Sequence, residues 1–159
     1  MKATVIAVAA AIPIAVMASD DRAKWWHGHG HGGGGVAAFG QAGDSKKVSH
    51  TINVDMTDGM RFIPSTITVK RGETIRFHVR NTGKMKHEMV LGTEGELEEH
   101  YQMMLKMPEM KYTKPNAIAL DAGETGEIVW RFTKRGTVPF ACLLPGHYDA
   151  GMRGVVTVK

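Results

Sequence analysis

From Val48 the chain alternates: Val48, His50, Ile52, Val54 and Met56 are separated by Ser49, Thr51, Asn53 and Asp55. A period of two is that of a strand with one face buried and the other wet. The same cadence returns in the runs STITVK, ETIRFHVRN, HEMVLG, NAIALD, GEIVWRF, TVPFACL and RGVVTVK. Between them lie RGE, NTGK, DAGETG and KRGT, each with a glycine able to take the positive φ that many tight turns require. Many short strands at close spacing predict an all-β sandwich, and no internal repeat interrupts it.

One segment breaks the cadence. In GELEEHYQMMLKM the residues Leu97, Tyr101, Met104 and Leu105 share one helical face, with Glu98, Glu99, Gln102 and Lys106 opposite. This spacing predicts a short inserted helix around 95–107, ending before Pro108, in a long connection between strands. Such insertions often crown one end of a sandwich, where functional loops gather.

The chain divides into three parts. Residues 1–18, MKATVIAVAAAIPIAVMA, carry one early positive charge, an apolar run, and Val16 and Ala18 spaced as a small-residue cleavage signal. A membrane anchor is the competing reading, but Pro13 interrupts a run shorter than the roughly 20 apolar residues of a spanning helix. We read an export signal peptide, hence a periplasmic protein with no stable membrane insertion. Residues 19–47 are polar and glycine-rich and read as a flexible arm. Residues 48–159 form the folded domain.

The formal net charge is +4, with Lys and Arg scattered rather than clustered, which gives no nucleic-acid signature. The unusual counts are eight His, eleven Met and a single Cys, the soft and borderline metal ligands. In an exported protein a lone cysteine must pair between molecules, react, or hold a metal. Here the spacing Cys142-x4-His147-x4-Met152 puts thiol, imidazole and thioether on one loop between two strands, bent by Pro145 and Gly146. A Cys, two His and a distant Met is the ligand set of a blue-copper site, so a second imidazole must come from elsewhere. His87, at the start of HEMVLG, lies at a strand end and is the candidate. His50 falls on the expected inward face of the first strand, as a core histidine, and His78 on a polar face, as a solvated one. The bland alternative for the loop is a turn with a buried Cys and a surface His.

The C-x4-H-x4-M loop, the upstream KHEMVLG and the run from Pro115 to Lys159 resemble the cupredoxin superfamily. Over residues 48–159 they are most similar to the exported bacterial copper-tolerance cupredoxins of the CopI type. The resemblance implies a Greek-key β-sandwich and one type 1 copper, with His87, Cys142 and His147 as strong ligands and Met152 as the weak axial one. It implies a copper-binding protein of periplasmic copper tolerance with one-electron redox at the site. The alternative is a soluble electron carrier meeting a transient redox partner over a rim of Leu143, Leu144, Pro145, Ala150 and Gly151 around His147. Enzymatic turnover is not expected, because paired catalytic histidines of copper enzymes lie on ordered strands and a second domain is missing.

Two further groups invite metal. His27, His29 and His31 alternate with glycine in the arm and can close around additional copper, or simply belong to a His-rich linker. Met85, Met89, Met103, Met104, Met107 and Met110 crowd around His87 and the helix, and His100, Met103 and Met107 share one flank at i, i+3, i+7. Thioethers there can hold a second Cu(I) or fill an irregular apolar gap; the gap-filling role is the favoured expectation.

Overall fold

Eleven strands and one helix follow one another in the computed structural model, which describes residues 36–159. They are β1 (Val36–Ala37), β2 (Gly40–Ala42), β3 (His50–Thr57), β4 (Arg61–Ile63), β5 (Thr66–Val69), β6 (Thr74–Asn81) and β7 (His87–Leu91), then α1 (Glu94–Lys106). After the helix come β8 (Ala117–Leu120), β9 (Thr125–Phe132), β10 (Gly136–Ala141) and β11 (Arg153–Val158). One sheet runs β1-β2-β9-β6-β3-β4 and the other β5-β11-β10-β7-β8. This is the expected Greek-key sandwich, with β3 and β6 parallel in one sheet, and β5 and β11 parallel in the other.

The alternation seen in the sequence sets the inner faces. Val54 and Met56 from β3, Ile75, Phe77 and Val79 from β6, and Ile128, Trp130 and Phe132 from β9 are buried together. From the second sheet Met89, Leu91, Val138, Phe140, Val156 and Val158 meet them. Phe62 and Phe140 join the sheets edge to face, with ring centroids 5.0 Å apart. Removing such side chains from water is the main favourable contribution to the fold, at about 1.5–3 kcal/mol each.

The domain begins earlier than Val48. Residues 36–42, read as part of the arm, form a small hairpin, and Gly40–Ala42 pair with Phe132–Trp130 of β9. Phe39 is buried against Trp130, with centroids 5.2 Å apart. One aromatic in a glycine-rich stretch anchors what periodicity could not show. Residues 1–18, expected to be a signal peptide, and His27, His29 and His31 lie outside the described residues.

Two further expectations change. His50 is exposed at the beginning of β3, where Nε2 lies 3.2 Å from Glu73 Oε1, because the inward alternation of that strand starts only nearer its middle. His78 stays on the outer face beside Asn53, as read. The helix starts at Glu94 because Thr93 and Glu96 form a reciprocal cap: Glu96 N–H donates to Thr93 Oγ1, and Thr93 N–H donates to Glu96 Oε2. Its buried face is Leu97, His100, Tyr101 and Met104, whereas Leu105 stands 47% exposed.

Through that face α1 packs on Val90, Ala141, Leu143 and Tyr148. Tyr101 Oη donates to Asp149 Oδ2, and the Tyr101 and Tyr148 rings lie 4.8 Å apart. The insertion therefore braces the loop that follows Cys142.

Candidate metal centre

The loop from Cys142 to Met152 closes on itself through the backbone. Cys142 N–H donates to Met152 O, and Met152 N–H donates back to His147 O, both at 3.1 Å. His147 N–H donates to Leu144 O, and Ala150 N–H to Gly146 O. Gly146 and Gly151 sit at φ +83° and +84°, the left-handed region that closes both bends at little steric cost. The spacing C-x4-H-x4-M is thus a pair of turns that brings the limbs of the loop together.

Among the described residues, His87, Cys142 and His147 each offer one ligand atom, all within 4.8 Å of one another. Cys142 Sγ lies 3.4 Å from His147 Nδ1, and the two imidazole centroids are 4.9 Å apart. His87 and Cys142 are fully buried, whereas His147 is half-buried and reaches the surface. Met152 is buried at the far end of the same loop. The structure therefore joins the imidazole from β7 to the two donors of the loop, and leaves His50 and His78 elsewhere.

The state of His87 is set by Asp58. The Asp58 carboxylate accepts from Lys84 N–H at 2.8 Å and Met85 N–H at 3.1 Å, and these backbone bonds, reinforced by His87, hold its pKa below the ordinary value. An ionised carboxylate only accepts, so His87 Nε2–H is the donor across 3.2 Å. That leaves Nδ1, which is buried without a hydrogen-bond partner, as the nitrogen open to a ligand. A carboxylate that fixes the tautomer of a ligating imidazole is a recurrent feature of metal sites. Gly83 makes room for it, since a Cβ there would meet Asp58 Oδ1 at 2.0 Å.

Burial pushes the Cys142 thiol up to about 12, despite the backbone N–H groups of Glu88 and Leu144 directed at sulfur. A desolvated sulfur of this kind becomes a thiolate when a cation replaces its proton. Burial, then the His87 imidazole, lower the pKa of His147, which keeps its lone pair available. One orphaned buried nitrogen, one thiol that needs a cation and one neutral imidazole within reach of both suit a copper ion.

Two residues of this site escaped sequence reading, Asp58 and Glu88. Glu88 is buried within β7; its N–H donates to Cys142 Sγ at 3.4 Å and its Oε1 accepts from Leu143 N–H at 2.9 Å. Desolvation raises its pKa to about 7. A glutamate between His87 and the apolar run Met89–Leu91 in HEMVL was the available signal, and the turn TDGM was the signal for Asp58. The expected rim also changes: Leu143 is fully buried, leaving half-buried Leu144 with exposed Pro145, Gly146, Ala150 and Gly151 around His147.

A two-sheet sandwich with a buried His–Cys–His pocket where β7 begins and β10 ends defines a cupredoxin. The chain belongs to the plastocyanin/azurin family of copper binding proteins, whose profile matches residues 48–159. It is 52% identical over 121 residues to the copper-resistant cuproprotein CopI of Rubrivivax gelatinosus, covering 76% of this chain and 73% of that one. With the CopI of Pseudomonas aeruginosa it shares 35% identity over 151 residues, covering 77% and 83%. Among solved structures, reduced auracyanin from Roseiflexus castenholzii superimposes with a TM-score of 0.60 at 26% identity, over 70% of this chain and 98% of that one.

Proposed function

We propose that His87 Nδ1, Cys142 Sγ and His147 Nδ1 are the strong ligands of the type 1 copper and Met152 its weak axial one, in a protein that serves copper tolerance outside the cytoplasm. The observation that carries this reading is the buried, partnerless Nδ1 of His87 in the same pocket as the only thiol. Copper held by such a set supplies one reversible electron. The protein's own part is to fix the imidazole through Asp58, to pin Cys142 between β7 and its loop, and to keep water from the sulfur. Tolerance, rather than electron transport alone, is supported by the two relatives named as copper-resistant cuproproteins. Export by residues 1–18 to the periplasm, and additional copper on His27, His29 and His31 of the arm, belong to the same reading. No helix among the described residues is long and apolar enough to cross a membrane.

A second reading, a soluble electron carrier, is favoured by the half-buried His147 and its exposed rim of Pro145, Gly146 and Ala150. An apolar collar around a ligand edge suits a transient redox partner. In both readings the chain binds copper and exchanges electrons without substrate turnover. Copper per chain, measured with the visible spectrum after loading and desalting, separates them. Copper beyond the coloured equivalent that disappears when His27, His29 and His31 are replaced supports capture. A single coloured equivalent, with no growth defect in copper when the gene is deleted, supports the carrier and overturns tolerance.

A further inference from the structure

We propose that α1 carries a second copper site, selective for Cu(I), formed by His100 with the thioethers of Met103 and Met107. It shares no ligand with the type 1 pocket and does not rest on the assignment of that pocket. His100 and Met103 stand at i and i+3 on one flank of the helix, and Met107 is its C-cap, tied to Met103 by its N–H donating to Met103 O. His100 is 3% exposed, and neither Nδ1 nor Nε2 has a hydrogen-bond partner. An imidazole hidden from water with both nitrogens unsatisfied is costly, and a ligand on one of them offsets that cost.

The ring is held for the task. Tyr112 packs against it at a 42° tilt with centroids 3.8 Å apart, where the chain after the helix turns back through Met110 N–H donating to Met107 O. Burial, then the Lys114 cation, lower the pKa of His100, so it is neutral and a competent donor.

The methionines separate into two groups. Met89 and Met104 are buried and fill the apolar spaces that methionine commonly fills. Met103 and Met107, at 38% and 50% exposed, fill no such gap. Thioether sulfur is a soft donor that prefers Cu(I) to hard divalent ions. Charge favours the same ion: all three ligands are neutral and Lys114 lies nearby, so a single positive charge is repelled less than a double one.

The test is a titration of the full chain carrying His27→Ala, His29→Ala and His31→Ala, without oxygen, with Cu(I) against a colorimetric Cu(I) chelator. We expect one Cu(I) equivalent that shifts the His100 ring and the Met103 and Met107 methyl resonances, and that is lost in the Met103→Leu, Met107→Leu double variant. Leucine keeps the apolar surface and helix propensity, so a surface that merely docks a partner survives this change while a thioether site does not. Unmoved His100 resonances in the parent, or an equal Cu(I) count in parent and double variant, overturns the proposal. An unchanged thermal melt of the double variant shows that lost binding is not lost folding.

Discussion

His87 and His100 are both buried histidines with unsatisfied ring nitrogen, yet their surroundings differ. At His87 one nitrogen is committed to Asp58, and the ring is grouped with a thiol and a second imidazole held by backbone turns. At His100 both nitrogens are bare, and its neighbours along the flank are flexible, half-exposed thioethers. The first environment fixes tautomer, direction and distance before any ion arrives; the second fixes only the plane of the ring. A site that cycles between Cu(I) and Cu(II) benefits from rigid ligands that change little, whereas capture of a soft monovalent ion tolerates a looser set.

The largest effect that could break this comparison is at the sulfur. Cys142→Ser is expected to abolish intense visible absorption of the copper-loaded protein, because a hydroxyl cannot replace thiolate at Cu(II). Strong colour in the variant refutes the ligand assignment. Next, Asp58→Ala frees the tautomer of His87 and makes its environment like that of His100. We expect copper affinity at the coloured site to fall by about 10–100-fold, as loss of such supporting carboxylates does elsewhere. Competition with a Cu(II) chelator measures it, and an unchanged affinity means that preorganisation by Asp58 is not what distinguishes the two histidines.

The same contrast explains how much was legible in the sequence. Period-two alternation placed eight strands because inner and outer faces differ in polarity, and the loop spacing exposed Cys142, His147 and Met152 because all three sit on one short segment. His87 was legible as a strand-end histidine next to a turn. Asp58 was not, since its partners are 26 to 29 residues away and only the fold brings the two turns together. The β1–β2 hairpin was hidden for a related reason: two short strands carry no period, and Phe39 acquires meaning only against Trp130. His100 was visible as a member of a flank, but its burial depends on Tyr112, which no helical pattern connects to it.

Glu88→Ala sharpens the rigid side of the comparison. It removes the carboxylate that accepts from Leu143 N–H, leaving a buried donor unpaired at a cost of about 1–3 kcal/mol. The Glu88 N–H to Cys142 Sγ contact belongs to the backbone and is retained. Denaturant unfolding is therefore expected to show that loss, while the colour persists with a shifted band as the cysteine limb relaxes. Full stability with an unshifted band would mean that the loop is held by its turns alone.

The smallest effect tests the looser side. Thr93→Ala removes the acceptor for Glu96 N–H at the start of α1, which costs about 1 kcal/mol. The cap lies one turn or more before His100, and both Tyr101 and Met104 still anchor the face beneath. Fraying is thus expected to be confined to the first turn, visible as faster amide exchange there, with exchange near Met103 and the visible spectrum unchanged. If Thr93→Ala instead alters the colour, the helix and the Cys142 loop are coupled through Tyr101 and Asp149 more tightly than two separate sites allow. The distinction between a rigid pocket and an independent helix flank would then fail, and the two histidines would belong to one mechanical unit.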